Sequence, residues 1–425
     1  MSNQAEHLNA DVVVVGAGMV GVAFATALAP TGLNIILLEQ RDGDISGFDA
    51  FVREQEEQGY DPRVSALTCA SQQILDSVGA WQHMQAHRLS PYTDMDVWDG
   101  EGTGHIHFSA RDLHEPHLGH IVENRVTLAG LYTALQQHKN IQMITGADVV
   151  SLSWADQDGR SLKLSDGRVI TAPLVVASDG AMSKTRQMAG IPMWEWDYGH
   201  HAIVTTVKTE QPHQATAWQR FTEDGPLALL PLTSDEGEYY CSIVWSTSPA
   251  HAKALMELST EEFCSELGRA FEHRLGKIIW SDERSVFPLR QRHAKHYIQK
   301  GFVAIGDAAH TIHPLAGQGV NLGLLDAAQL AETLTDAFQR NEPIASERVL
   351  RRYQRQRQSG NIQMSAAMEG FKQLFNSEQP ILRLARNFGM SLLNKVGPLK
   401  NHIVMEAMGL RGGDLPAIAR RPIKE

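Results

Sequence analysis

The stretch from Asp11 to Glu39 constrains the fold more than any other part of this chain. Val12 to Val15, after Asp11, is an unbroken β-branched run, the pattern of a strand buried on both faces of a parallel sheet. It passes directly into Gly16-Ala17-Gly18-Met19-Val20-Gly21, a GxGxxG turn. An alanine-rich helical stretch continues to about Ala29, with Gly32 placed to stop it. Leu33 to Leu38 reads as a second apolar strand, and it ends on Glu39. Together these make a dinucleotide-binding unit. The glycines permit a tight turn and close backbone approach, the helix N-terminus faces a pyrophosphate, and Glu39 can bind ribose hydroxyls. A carboxylate at that point repels a 2′-phosphate, so the unit suits FAD or NAD and not NADP.

A second motif lies far along the chain. Gly301 to Asp326 reads GFVAIGDAAHTIHPLAGQGVNLGLLD. Phe302 to Ile305 is a short apolar strand. Gly306 and Asp307 follow at its carboxyl end, where α/β sheets place ligand contacts. Pro314 breaks the chain, and Gly317-Gln318-Gly319 opens a helix, continued by Val320 and Asn321, whose free backbone N–H groups can face an anion. Between the two motifs, the strand Leu174 to Val176 leads into Ala177-Ser178-Asp179-Gly180-Ala181-Met182-Ser183-Lys184-Thr185-Arg186. Taken alone, Asp-Gly is simply a turn.

The three motifs together resemble the single-component, class A flavin aromatic hydroxylases, which have the 4-hydroxybenzoate hydroxylase fold. HLGHIVENRV (117–126), HHAIVTTVKTEQPH (200–213), CSIVWSTSPAHA (241–252) and HPLAGQGVNLG (313–323) carry the resemblance into the ubiquinone-biosynthesis branch over nearly the whole chain. Within that branch the likeness is greatest to the polyprenylphenol hydroxylases acting at ring carbon 5, with Met408-Gly409-Leu410 and Asp414-Leu415-Pro416 in agreement. The resemblance implies a Rossmann-like FAD domain with an inserted antiparallel substrate sheet. It also implies NADH or NADPH as electron donor, O₂ as co-substrate, and ring hydroxylation through a flavin C4a-hydroperoxide. Asp307 would contact the ribityl chain, Gly317 to Asn321 the flavin's anionic edge, and Asp179 the pyrophosphates. Arg63 and Arg125 match flavin-contacting arginines, and each could instead be a surface cation. Sister hydroxylases acting at other ring carbons share the FAD motifs and compete with this reading, as do a same-fold flavin reductase that inserts no oxygen and a non-catalytic assembly component of a quinone-synthesis complex. Both FAD motifs retain their glycines and Asp307, which opposes the last.

The motif positions require a discontinuous FAD domain: 1–91, 116–190 and 285–345. Residues 92–115 and 191–284 form the substrate domain, with alternating stretches such as Ala202 to Val207 and Cys241 to Trp245, and 346–425 form a helical, basic amphipathic region. No second GxGxxG is present, so NAD(P)H visits the FAD site transiently. For the substrate pocket the family positions suggest Phe221, Leu230, Pro231, Trp245, Phe287 and Pro288, with Leu315 on the flavin side; core packing is the competing reading for each. His201 either orients the phenol or is a buried structural histidine. No side-chain base is identified.

Charge separates the tail from the body. The chain carries −11, but residues 341–425 hold 14 Lys/Arg against 7 Asp/Glu, leaving −18 for the first 340 residues. A nucleic-acid binder held by a general positive field is excluded. In the tail Arg351, Arg352, Arg355 and Arg357 precede Met364, Met368, Phe371, Leu374 and Phe375 at helical spacings. This is either a solvated helical cap or a surface for peripheral contact with the inner membrane or with other ubiquinone-biosynthesis proteins. Three unpatterned cysteines, a polar N-terminus and no apolar run of about 20 residues fit a cytoplasmic protein. The histidine pairs 117/120, 293/296 and 310/313 are not on helices, so no metal site is expected.

Overall fold

Apolar runs without polar alternation can be buried only in a sheet covered on both faces. In the computed structural model, which describes residues 6–154, 159–234, 237–311, 319–375, 405, 408 and 415–420, the N-terminal valines lie in such a sheet. β1 (Val12–Val15) runs between β2 (Ile35–Leu38) and β8 (Leu174–Ala177), all wholly buried. The sheet continues through β7 (Ile141–Ile144) beyond β2 and through β14 (Phe302–Ala304) and Ile298–Gln299 beyond β8; only the last strand is antiparallel. The sequence motifs at 16, 179 and 307 therefore sit at the carboxyl ends of three neighbouring strands.

α1 (Met19–Leu28) follows β1, and a short 3₁₀ turn, Ala29–Thr31, ends on Gly32 at φ +78°, the left-handed stop that the sequence placed there. α6 (Gly319–Gln339) packs across α1 through small residues. A Cβ at Gly323 would stand 2.6 Å from a Val20 methyl, and one at Gly306 would stand 3.1 Å from another. Val20, Gly306 and Gly323 thus lock together two motifs nearly 300 residues apart.

A nine-stranded sheet forms the second layer. Its order is β15 (His310–Thr311), β13 (Ser285–Ala294), β9 (Met193–Thr209), β12 (Tyr240–Thr247), β11 (Gly225–Leu232), β10 (Thr216–Thr222), β4 (Asp94–Asp99) and β5 (His105–Ser109), with Ile278–Ser281 also pairing β9. All pairs are antiparallel except β10 with β4. The sequence boundary at 285 is corrected here. β13 belongs to this sheet, because it pairs with β9 from Met193 opposite Ala294 to Val204 opposite Ser285. A small antiparallel sheet of β3 (Val64–Thr68), β6 (Gly119–Glu123) and Ser90–Tyr92 stands apart from both layers.

The large sheet has two unlike faces. Ile203, Val207, Leu227, Leu229, Cys241, Ile243 and Trp245 pack beneath α4 (Pro249–Glu257) and α5 (Thr260–Ala270) in one apolar core with Leu255, Phe263 and Leu267. Residues one position out of phase face the other way.

The tail begins as α7 (Glu347–Phe375). Three of its arginines are neutralised within the fold: Arg351 by Glu347, Arg352 by Glu342 and Arg357 by Asp326. Nearly all of 376–425 lies outside the described residues. Among the described residues no helix is long and apolar enough to cross a membrane.

Candidate active site

The N-terminus of α1 has no cap of its own. Gly18 occupies the N-cap in extended conformation, no side chain accepts from the first-turn amides, and no acid stands in that turn. A Cβ at Gly18 would meet nothing within 4 Å, so there is room for a group beside those amides. Its neighbours have none. Gly16, at φ +102°, would place a Cβ 2.6 Å from the Ser178 carbonyl, and Gly21 one 2.1 Å from the Gly16 carbonyl. Glu39 accepts from the Ala17 and Arg41 N–H groups, each at 3.0 Å, and stands half-buried at the end of β2 beside the same turn. A positive helix end with free donors, open space and an adjacent carboxylate fits the pyrophosphate and ribose of a dinucleotide.

The Asp-Gly motif is built as a brace. Asp179 accepts from the Ser183 hydroxyl and from the Thr185 N–H (3.0 Å) and hydroxyl (2.9 Å). Buried Arg186 then donates to the Ala308 carbonyl at 3.0 Å, tying this segment to the turn Gly306–Ala308. Asp307 in that turn faces the cleft, although protein surrounds it on its other sides. That burial pushes its carboxyl up, against the pull of His310 and Arg292. Val320, in the first turn of α6, is half-buried against the core. The Asn321 side chain is spent on structure: it donates to the Ala66 carbonyl at 2.8 Å and accepts from Thr68 N–H and Ser71 Oγ. Anything it lends a flavin must come from its backbone. Pro314, Leu315, Gly317 and Gln318 lie outside the described residues.

Arg63 and Arg125 differ in their settings. Arg125 is engaged, donating to the Gly59 carbonyl at 2.7 Å and pairing with Glu123 at 2.6 Å. Arg63 is exposed at the cleft, its guanidinium 5.6 Å from the Phe287 ring centre. The segment that carries it is held by Arg88 and Arg125 on Gly59, by Asp61 N–H on Glu123, and by the helix α2 (Phe48–Gln58) before it. α2 is anchored in turn by His87, whose ring lies between Asp49 (2.8 Å) and Glu56 (2.7 Å). Burial alone would lower the His87 pKa; the hydrogen bonds and charges of Glu56 and Asp49 outweigh it and hold the pKa above the ordinary histidine value. A raised histidine stabilises below its unfolded pKa of about 6.5 and loses that contribution as pH rises through the folded value. Amide exchange of α2 should therefore quicken between pH 6 and pH 9 beyond the intrinsic rate, and His87→Gln should remove the added pH dependence. Equal pH dependence in both proteins would refute this.

Below Arg63 lies a cavity of about 390 Å³ between the large sheet and the small one. The sheet supplies Ala202, Val204, Ala228, Leu230, Val244 and Phe287, the small sheet Val64, Ala66 and Ile121, and the cofactor side Asp307. Of the suggested pocket residues, Leu230 and Phe287 line it. Phe221 shares the face of Gln219 but lies two residues farther out along β10, outside the lining. Trp245, Pro231, His201 and Pro288 are corrected. Trp245 pairs with Ile203 and Leu227, Pro231 with Cys241, and His201 with Pro288, all in phase with the helix-covered face. The polar lining residues Gln219, Ser242, Ser246 and Asn124 were not singled out in the sequence. Among the described residues no cluster of three or more His, Cys, Asp or Glu could hold a metal.

A family model described as "FAD binding domain" matches residues 9–368. The chain belongs to this FAD-binding family. A 3-demethoxyubiquinol 3-hydroxylase from Escherichia coli (strain K12) is 38% identical over 94% of this chain and 98% of its own length. A mitochondrial ubiquinone biosynthesis monooxygenase from Xenopus tropicalis is 34% identical over 93% and 92%. The crystal structure of p-nitrophenol 4-monooxygenase from Pseudomonas putida DLL-E4 superposes with a TM-score of 0.75 at 19% identity, covering 96% of this chain and 99% of that one, a likeness of fold. The protein is thus an FAD-dependent monooxygenase of the class A type, with NAD(P)H and O₂ as co-substrates.

Proposed function

We propose that this enzyme hydroxylates the aromatic ring of a polyprenylphenol in ubiquinone biosynthesis, at ring carbon 5. The observation that carries the reading is a shared wall: Asp307 of the second FAD motif lines the same apolar cavity as Leu230 and Phe287. A volume of about 390 Å³ suits a substituted ring with the start of its chain, so a polyprenyl tail must leave past the rim, where Phe287 is 38% exposed.

FAD, when bound, supplies the redox chemistry. The chain's part is to orient the ring and keep the cavity dry. Burial, followed by the neighbouring Cys69, pushes the Tyr92 hydroxyl well above its ordinary pKa, so in this cavity it is a hydrogen-bond donor and not a base. An alkylphenol ring is electron-rich already, which fits a cavity whose lining, among the described residues, offers no histidine or lysine. A water-insoluble tail also requires delivery, for which we propose peripheral contact of the basic tail with a membrane and with other ubiquinone-biosynthesis proteins.

A second reading places the hydroxyl at the ring carbon named for the E. coli relative. Anaerobic reduction by NADH or NADPH, then O₂ in the presence of a short-chain 2-prenylphenol or a short-chain demethoxyubiquinol, followed by product NMR, separates the two. Hydroxylation of the prenylphenol at carbon 5 supports the first; hydroxylation of the demethoxyubiquinol alone supports the second. Reoxidation yielding only H₂O₂ with every phenol would count against both. Asp307→Ala is expected to purify folded, with a near-normal melting temperature, but with most of its FAD lost. Full flavin occupancy in that variant would overturn the role given to the second motif.

A further inference from the structure

The cavity is apolar but not uniformly so, and one of its polar residues is unpaid for by the fold. Ser242 on β12 lines the cavity and is 1% exposed, and its hydroxyl has no hydrogen-bond partner among the described residues. Its cross-strand neighbour Thr206 on β9, on the same face and 2% exposed, carries a second hydroxyl without a partner. Buried hydroxyls are nearly always bonded, because one left without a partner carries the full cost of losing its water. Two adjacent exceptions, Ser242 in the cavity wall and Thr206 beside it, point to a partner that arrives with the ligand. On the other side of Ser242 stands Leu230, and the next row of the wall begins with Val244 and Ala228, so Ser242 is the polar group set among apolar neighbours on these strands.

We infer that Ser242 is the residue that recognises a ring oxygen of the substrate, with its hydroxyl bonding a phenolic or alkoxy oxygen and thereby setting the rotation of the ring in the cavity. This rests on the polyprenyl-ring reading above and names the contact that makes the site selective for an oxygenated ring over a hydrocarbon one. A serine hydroxyl both donates and accepts and turns about one bond, so it can meet a phenol or an ether. In the ligand-free protein the hydroxyl contributes only its desolvation cost.

That asymmetry gives the test opposite signs. Ser242→Ala in the FAD-loaded protein should leave the ligand-free melting temperature unchanged or raise it, since it removes an unsatisfied group without opening a large void. Calorimetric titration without NAD(P)H should show about tenfold weaker binding of a short-chain 2-prenylphenol, with binding of the matching prenylbenzene unchanged. On turnover the variant should release more H₂O₂ per NAD(P)H consumed, because the ring is less well held. Equal weakening of both ligands, or of neither, would overturn the inference, as would a lowered melting temperature with no ligand preference lost. If wild type binds neither ligand, the inference and the proposed substrate fall together. If wild type hydroxylates the prenylphenol and Ser242→Ala shows no differential loss, only the inference falls. Thr206→Val, which keeps shape and removes the second hydroxyl, should reproduce the sign at smaller size.

Discussion

Gly21→Ala should yield a protein with almost no flavin. A methyl group there would lie 2.1 Å from the Gly16 carbonyl oxygen and 2.5 Å from Ser178 Oγ. Neither can retreat easily. The Gly16 N–H is bonded to Leu38 O at 2.8 Å, and Ser178 Oγ donates to the carbonyls of Val15 (3.0 Å) and Gly16 (2.9 Å). α1 must therefore lift away from the turn, which moves its uncapped amides off their target and disturbs the contact of Val20 with Gly306 and Gly323. Overpacking of this kind costs about 1–3 kcal/mol in a core, and here it falls directly on the binding geometry, so flavin affinity should drop by about 100-fold. Gly18→Ala makes the control. Its methyl meets no protein atom within 4 Å and its φ is an ordinary −72°, so the melting temperature should hold while FAD binding weakens through the space lost beside the helix end. Reconstitution of both variants with FAD, followed by fluorescence, measures the two effects. A Gly21→Ala protein with full flavin would refute the geometry.

These effects concern the part of the molecule that its sequence states most openly. β1, the turn, α1 and β2 are written in contiguous residues whose pattern depends on nearest neighbours alone, and so is the stop at Gly32. The site's second layer is not local. Whether Trp245 or Val244 faces the cavity depends on a single step of strand phase, and residue type misleads. Trp245, the largest side chain proposed for the pocket, fills the helix-covered core, while the sheet's cavity face also takes small and polar residues such as Ala228, Ser242 and Ser246. His201 falls on the wrong side for the same reason. The membership of β13 is equally silent, because its partner lies some 90 residues earlier in the chain and no local signal ties them. One missed feature did leave a trace. Asp326 stands amid Leu324, Leu325, Ala327 and Ala328, and a lone acid on an apolar helix face implies a buried partner.

That partner is Arg357, and its removal should produce the largest loss of stability proposed for this chain. Asp326 is fully buried and accepts from Arg357 Nε at 2.7 Å, His310 Nε2 at 2.5 Å, Asn361 Nδ2 at 3.2 Å and the Gly306 N–H at 3.1 Å. One carboxylate thus joins α7, α6 and the turn that carries Asp307. Burial alone would raise its pKa, but His310 and Arg357 outweigh that and hold it far below the usual carboxylate range. Arg357→Met keeps the aliphatic packing and strips the fixed positive charge, which should cost about 3–5 kcal/mol because the acid remains buried. The sign of the pH dependence follows. In wild type the depressed acid contributes stability above its unfolded pKa of about 4, lost only as pH falls below that toward the folded value. Without the arginine the folded pKa of Asp326 rises, so protonation relieves the variant, and its deficit against wild type should shrink as pH falls from 7 to 5. Urea melts at both pH values measure this, and a deficit constant across that range would refute it. Asp326→Asn combined with Arg357→Met should recover part of the loss by removing the stranded charge. FAD affinity should follow stability in the single variant, since Arg357 steadies the carboxylate that accepts from the Gly306 N–H beside Asp307.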